Sequence, residues 1–368
     1  MKKSKGIIRG LLLIVIIGIC AALYFKVFNT GKGTIVTTWD NMYNENNLEF
    51  FYETQDSIAS DKRIQNLKDT YSVEQLVSGE TSEINKVLKT VEILNSAVEY
   101  DDVKDTLKYN GYDILKEKGT GKKTSGRDMA IIERDLLLSA GFISRTGEFR
   151  KEDPEFKSKP SYFVVEYWSE QYNKWVMVDF IDKGYLESNG VPLSAIEVIN
   201  SDIKDLTYVG KSSQNDYRKK IKKYLNSYTI PIDSTLSTTK SNSYVTYVKD
   251  SKYVQIMVNG NYILPTIFTQ NTNLFGFKPG AEITRKDSRP YLILMKKPVS
   301  GKEEKLTFVV GAFENGSIIN DCYIKINDEG FEKVSKYKEF DLRKGENTIQ
   351  LSTDGQNVIS TIVLKSHK

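Results

Sequence analysis

Histidine is almost missing from this chain of 368 residues: the only one is His367, next to the last position. That scarcity removes the commonest general base and the commonest metal ligand together. Cysteine is nearly as scarce, with Cys20 and Cys322 alone. Cys20 falls inside an apolar run, so Cys322 has no disulfide partner outside it. No Cys–His or Ser–His pair can be assembled except with the tail histidine, and no His/Cys cluster exists to hold zinc. No cofactor is implied, and no metal site. A surplus of positive charge is also lacking over most of the chain. There are 52 Lys and Arg against 48 Asp and Glu, and Lys2, Lys3, Lys5 and Arg9 account for the whole difference. A neutral body argues against nucleic-acid binding, which needs concentrated positive charge. Fixed-period repeats are absent as well. "GTGKKTSG" stops short of a phosphate loop, because Gly121-Lys122 is followed by Lys123 instead of Ser or Thr.

What is present begins with "GLLLIVIIGICAALYF", Gly10 to Phe25, uncharged and bracketed by Arg9 and Lys26. With snorkelling ends it reaches the roughly 17–25 residues a bilayer span needs. The basic residues ahead of it predict a cytoplasmic N-terminus and extracellular C-terminal domains: a single-pass protein of the cell membrane. A signal peptide cleaved after "CAA" is the alternative. A lipoprotein reading of Cys20 is weakened by bulky Ile19 before it.

Four segments follow. Residues 1–28 hold the basic tip and anchor, and 29–227 an α+β domain with an N-terminal extension. Residues 228–244 form a Ser/Thr-rich linker, and 245–368 an all-β sandwich, expected to be immunoglobulin-like. Within the second segment, Ile84, Val87, Leu88, Val91, Leu94 and Val98 keep helical spacing after Thr81 and Glu83. A second helix starts at Ser125, with Asp128 at capping-box spacing, and ends on Gly141. "FISRTGEFR", "SYFVVEYWSE" and "KWVMVDFI" then alternate as neighbouring antiparallel strands, the last two joined by the tight turn "QYN". "SQNDYRKKIKKYLNSY" reads as a basic surface helix, and Asn259–Gly260 as a hairpin turn.

The stretch from Gly126 to Asp179 resembles the transglutaminase-like superfamily, which has a papain-like fold. The resemblance spans about Thr81 to Asp182 and rests on Ala130, Gly141, Arg145, Glu166, Trp175 and Asp179. It implies that the nucleophilic cysteine position is Gly126, the histidine position Tyr162 and the aspartate position Asp179. The scaffold survives while both reactive members are gone. A thiol at a helix N-terminus becomes a nucleophile through its lowered pKa, and a neighbouring imidazole moves the proton; a bare glycine and a phenol do neither. The resemblance therefore implies a pseudoenzyme. Tyr162, Asp179, Trp168 and Trp175 are expected to line a cleft, with Glu166 and Arg145 as further cleft candidates and Arg145 read foremost as a structural ion-pair partner. The expected partners are a cell-wall or exopolysaccharide polymer or an envelope protein, besides the membrane. Two rivals stand beside this reading: a hydrolase using Asp179 and Glu166 as paired carboxylates, and a structural subunit of a membrane assembly.

Overall fold

Polar residues placed just ahead of apolar helical runs define most of the helices. In this computed structural model, which describes residues 34–119, 121–152, 161–250, 263–297 and 306–366, eight helices follow in chain order. They are α1 (Gln55–Ser60), α2 (Lys62–Thr70), α3 (Val73–Ser78), α4 (Glu83–Ala97), α5 (Gly111–Lys118), α6 (Gly126–Ser139), α7 (Ala195–Asn200) and α8 (Gln214–Ile221). Ser82, Asn110, Ser125 and Ser213 each accept from the backbone N–H three residues on, and Thr54 and Ser194 close full capping boxes. Helix α6 is central: from Asp128 to Ser139 every side chain is buried. Its polar members are therefore all the more in need of partners. Asp128 accepts from the Thr106 N–H at 2.9 Å and lies 3.4 Å from Lys118, while Asp135 accepts from the Gly111 N–H at 2.6 Å and from Arg134 at 2.7 Å. Helix α5 approaches so closely that a Cβ at Gly111 would sit 2.8 Å from the Ile132 Cα.

The strands are β1 (Thr34–Trp39), β2 (Glu99–Tyr100), β3 (Lys123–Thr124), β4 (Ser144–Arg150), β5 (Ser161–Ser169), β6 (Lys174–Val178), β7 (Tyr185–Ser188), β8 (Val191–Pro192), β9 (Thr207–Val209) and β10 (Ser227–Pro231). The second half adds β11 (Tyr244–Val248), β12 (Ile263–Thr269), β13 (Tyr291–Lys296), β14 (Thr307–Glu314), β15 (Ser317–Ile318), β16 (Cys322–Ile326), β17 (Glu332–Val334), β18 (Tyr337–Asp341), β19 (Gly345–Ser352) and β20 (Ser360–Ser366). Ten of them make one sheet in the order β15-β14-β13-β12-β11-β10-β4-β5-β6, with β18 also on β14. Among the described strands only β11 and β12 run parallel within it. A five-stranded sheet has the order β1-β20-β19-β16-β17.

Alternation along the strands divides the interior into three cores. One face of the long sheet carries Phe149, Tyr162, Val164, Met177, Tyr228, Ile230, Val245 and Ile293, under α7, α8 and residues 43–51. On the opposite face, Val165, Tyr167, Val176, Val178 and Phe180 meet α2 to α6. Farther along that opposite face, Phe268, Leu292, Leu294, Phe308 and Val310 meet the five-stranded sheet.

This arrangement corrects the expected fold class. A separate immunoglobulin-like sandwich following a transglutaminase-like domain is replaced by a mixed α+β body in which one sheet runs through both. The stretch expected as a linker opens with β10, which pairs with β4 on one side and β11 on the other. Its Ser/Thr-rich remainder is organised by Asp233, whose carboxylate accepts from the N–H groups of Thr235 and Lys240 at 2.9 and 2.7 Å. The five-stranded sheet borrows β1 from the N-terminal part of the chain. The single-pass anchor is corrected too. Gly10–Phe25 lies outside the described residues, as do Cys20, Asn259–Gly260 and His367. Among the described residues no helix is long and apolar enough to cross a membrane. The longest, α4, has 15 residues and carries Glu83, Lys86, Lys89 and Glu92, against the roughly 20 apolar residues a span needs. Among the described residues the membrane-anchored, extracellular placement thus finds no element to carry it, and it does not stand.

Candidate functional site

The three vestigial positions do not come together. Gly126 is the first residue of α6, and a Cβ built on it would meet Phe163 Cδ2 at 3.1 Å and Tyr100 Cε2 at 3.5 Å. Phe163 packs with the helical core, on the same face of β5 as Val165 and Tyr167. Tyr162, its neighbour, points to the other face with Val164 and Met177. One residue along a strand reverses the side, so the glycine at the helix end and the Tyr162–Asp179 pair lie on opposite faces of the sheet.

Tyr162 and Asp179 do meet each other. The Tyr162 hydroxyl donates to Asp179 Oδ2 at 2.6 Å, and Asp179 Oδ1 accepts from the N–H groups of Ile181 and Asp182 at 3.0 and 2.8 Å. Asp179 is fully buried and Tyr162 nearly so. Burial pushes the Asp179 carboxyl above the usual carboxylate range, opposed by Lys220 and by these hydrogen bonds. Burial and the adjacent Asp179 push the Tyr162 phenol far up, so it stays a donor. Helix α8 closes the site: Lys220 Nζ lies 2.6 Å from Asp182 Oδ2 and 3.9 Å from Asp179 Oδ2, and 5.1 and 5.0 Å from the ring centres of Tyr162 and Tyr217. Burial raises the Asp182 carboxyl, but Lys220 and Ser212 together bring it below its ordinary value. Tyr217 stacks on Tyr208 at 3.6 Å. The result is a buried polar knot that holds α8 to the sheet, in which the Tyr217 hydroxyl is left without a hydrogen-bond partner.

Arg145 and Glu166 form a second buried knot. Glu166 Oε2 accepts from Arg145 Nε at 2.8 Å and from the Tyr228 hydroxyl at 2.7 Å, and its Oε1 accepts from the Ala195 N–H at 2.9 Å. Tyr228 reaches it only because position 147 is glycine: a Cβ there would lie 2.1 Å from the Tyr228 oxygen. Both Glu166 oxygens are thus engaged in the core and neither is turned toward Asp179 as a free acid or base. Arg145 also donates to the Phe275 carbonyl at 2.7 Å, and its guanidinium lies 4.0 Å from the Trp175 ring centre.

Trp175 is only 1% exposed, and its indole N–H donates to the Phe277 carbonyl at 2.9 Å. Trp168 meets it edge-on at 5.8 Å. Neither tryptophan presents a free face, so the expected stacking platform is not there. A groove of about 770 Å³ instead opens beside Trp175, between the start of β6, α7 and residues 272–285. Ile196, Phe275, Phe277 and Ile283 supply its apolar surface, with Asn273, Glu282 and Arg285 around them. Lys174 and Glu197 pair across its edge at 2.8 Å. The residues missed in the sequence are Lys220, Tyr217 and this 272–285 wall. The first two lie in a helix whose charge run reads as a solvated face; the wall shows only as the Gly/Pro-rich "FGFKPG".

No protein-family model matches the chain, and no curated protein matches it either.

Proposed function

We propose that the chain is a catalytically inert, transglutaminase-like binding module that holds a protein or polymer partner in the groove beside Trp175. The capped α6, the Arg145–Glu166 pair and the Tyr162–Asp179 hydrogen bond support the scaffold assignment. One observation carries the loss of catalysis: the helix start that should bear a nucleophile is a glycine facing Phe163 and Tyr100, while Tyr162 and Asp179 face another core. Chemistry by the inherited route has neither a nucleophile nor a base. The groove is of ligand-site size, since such sites span roughly 300–1,000 Å³ and combine apolar walls with a few polar groups.

The sealed Tyr162–Asp179 knot favours a second reading as well, an assembly subunit in which this part is a spacer. One experiment separates the two. The purified full chain is screened against a random linear-peptide library and a glycan array, beside Phe277→Asp. Capture by the wild type that the Phe277 variant loses is the expected result. Capture of nothing supports the spacer, and turnover of a peptide amide by the wild-type chain overturns both.

A further inference from the structure

The wall of the groove is an unusual piece of chain. Residues 281–287 have no regular secondary structure. Among the described residues, Glu282, Ile283, Thr284 and Arg285 make no hydrogen bond through main chain or side chain. Both ends of the stretch are nevertheless tied down. The Ala281 N–H donates to the Lys278 carbonyl at 3.1 Å, and the Lys286 carbonyl accepts from Asn47 at 2.8 Å. Asp287 then accepts from the Tyr43 hydroxyl at 2.9 Å and exchanges bonds of 2.7 Å with Asn315. Four consecutive peptide groups are therefore held in place with their donors and acceptors unused. Such a row is a template for another strand's main chain.

The surroundings favour a peptide over a sugar. Trp175 has no face for a sugar ring, being covered by Arg145 and Tyr52. Asn46 Oδ1 accepts from Asn271 and Asn47 donates to the Lys286 carbonyl, both at 2.8 Å, so one end of each side-chain amide is already engaged. The accessible floor is Ile196 and Phe277. Lys174 and Glu197 neutralise each other, which leaves as exposed charges on the groove wall, without an ion pair among the described residues, Glu282 and, three residues on, Arg285. A partner carboxylate fits Arg285.

We propose that the groove takes an extended peptide segment of a partner protein, paired main chain to main chain beside Glu282–Arg285, with an apolar side chain on Phe277 and a carboxylate on Arg285. This rests on the groove being the binding site, and the test keeps the two claims apart. The full chain is panned against a random linear 12-residue peptide library, and the strongest binder is remade with single N-methyl groups along its length. Strand pairing predicts an alternating pattern, because every second N–H faces the edge. N-methylation at those positions weakens binding by about tenfold, and at the intervening positions by less than about twofold. Arg285→Glu is expected to weaken binding by a similar factor and to remove the preference for acidic peptides. Binding that Phe277→Asp abolishes but N-methylation leaves flat overturns the pairing and keeps the groove. Capture of glycans alone on a parallel array, lost in Phe277→Asp, does the same. Peptide binding indifferent to Phe277→Asp and Arg285→Glu, or no capture at all, overturns both.

Discussion

Replacing Glu166 with Gln tests the central packing of the molecule. The carboxylate accepts three hydrogen bonds, from Arg145 Nε at 2.8 Å, the Tyr228 hydroxyl at 2.7 Å and the Ala195 N–H at 2.9 Å, and Arg145 Nη2 lies 2.7 Å from it. Gln keeps the shape but turns one oxygen into a donor amide and leaves Arg145 charged, 1% exposed and without a counter-ion. Removing one member of a buried ion pair costs about 3–5 kcal/mol, far more than a surface pair. Arg145 also holds the Phe275 carbonyl at 2.7 Å, so the loss should reach the groove wall. Urea denaturation of the full chain supplies the magnitude, and amide exchange at residues 275–277 supplies the location. The expectation is a loss near that range together with faster exchange in the wall. Glu166→Leu combined with Arg145→Leu should cost less than the single Gln change, because no orphan charge remains. A loss below about 1 kcal/mol in Glu166→Gln would refute the reasoning, since it would mean that water already screens the pair.

Two further outcomes follow from other sites. Glu133 is buried in α6 with one oxygen bonded to Thr90 at 2.7 Å and the other without a partner. Burial holds its carboxyl well above the usual carboxylate range, with Thr90 opposing. The folded chain therefore keeps a proton that the unfolded chain loses above about pH 4.3, and stability falls as pH rises toward the raised folded value. Glu133→Gln lacks that titration, so its stability relative to the wild type should rise between about pH 5 and pH 8 in urea denaturation; a constant difference sinks the assignment. Separately, Gly126→Cys combined with Tyr162→His restores the residue types of a cysteine enzyme but not their meeting. That variant should release no ammonia from a glutamine peptide above the uncatalysed rate. Turnover would show that thiol and imidazole share one side of the sheet.

Much of the local architecture could be read from the residues. Ser125 caps α6, Gly141 ends it with φ +89°, and the hairpin of β5 and β6 follows from the alternation around "QYN". Arg145 could be read as a structural ion-pair partner, but that Glu166 is the residue it pairs with could not. The choice of face was not. Alternation says that Tyr162 and Phe163 point in opposite directions; it does not say which side α6 covers, and that single bit decides whether the vestigial positions meet. The continuity of the long sheet was equally hidden. Pairings such as β4 with β10 join residues more than seventy apart, and no local pattern records them. The groove wall escaped because its character lies in bonds it does not make.

The pairing of β1 with β20 has a consequence for how this molecule comes into being. Thr34 lies opposite Ser366, 332 positions away. At about 5–20 residues per second, a ribosome delivers β1 on the order of tens of seconds before β20, its one sheet neighbour among the described residues, exists. During that interval Val36 and Trp39, both core residues of the finished structure, have nothing in that sheet to lie against. The sheet is thus closed by zipping a later-made segment onto one made more than three hundred residues earlier, and a chain that lacks β20 leaves β1 without that partner as well.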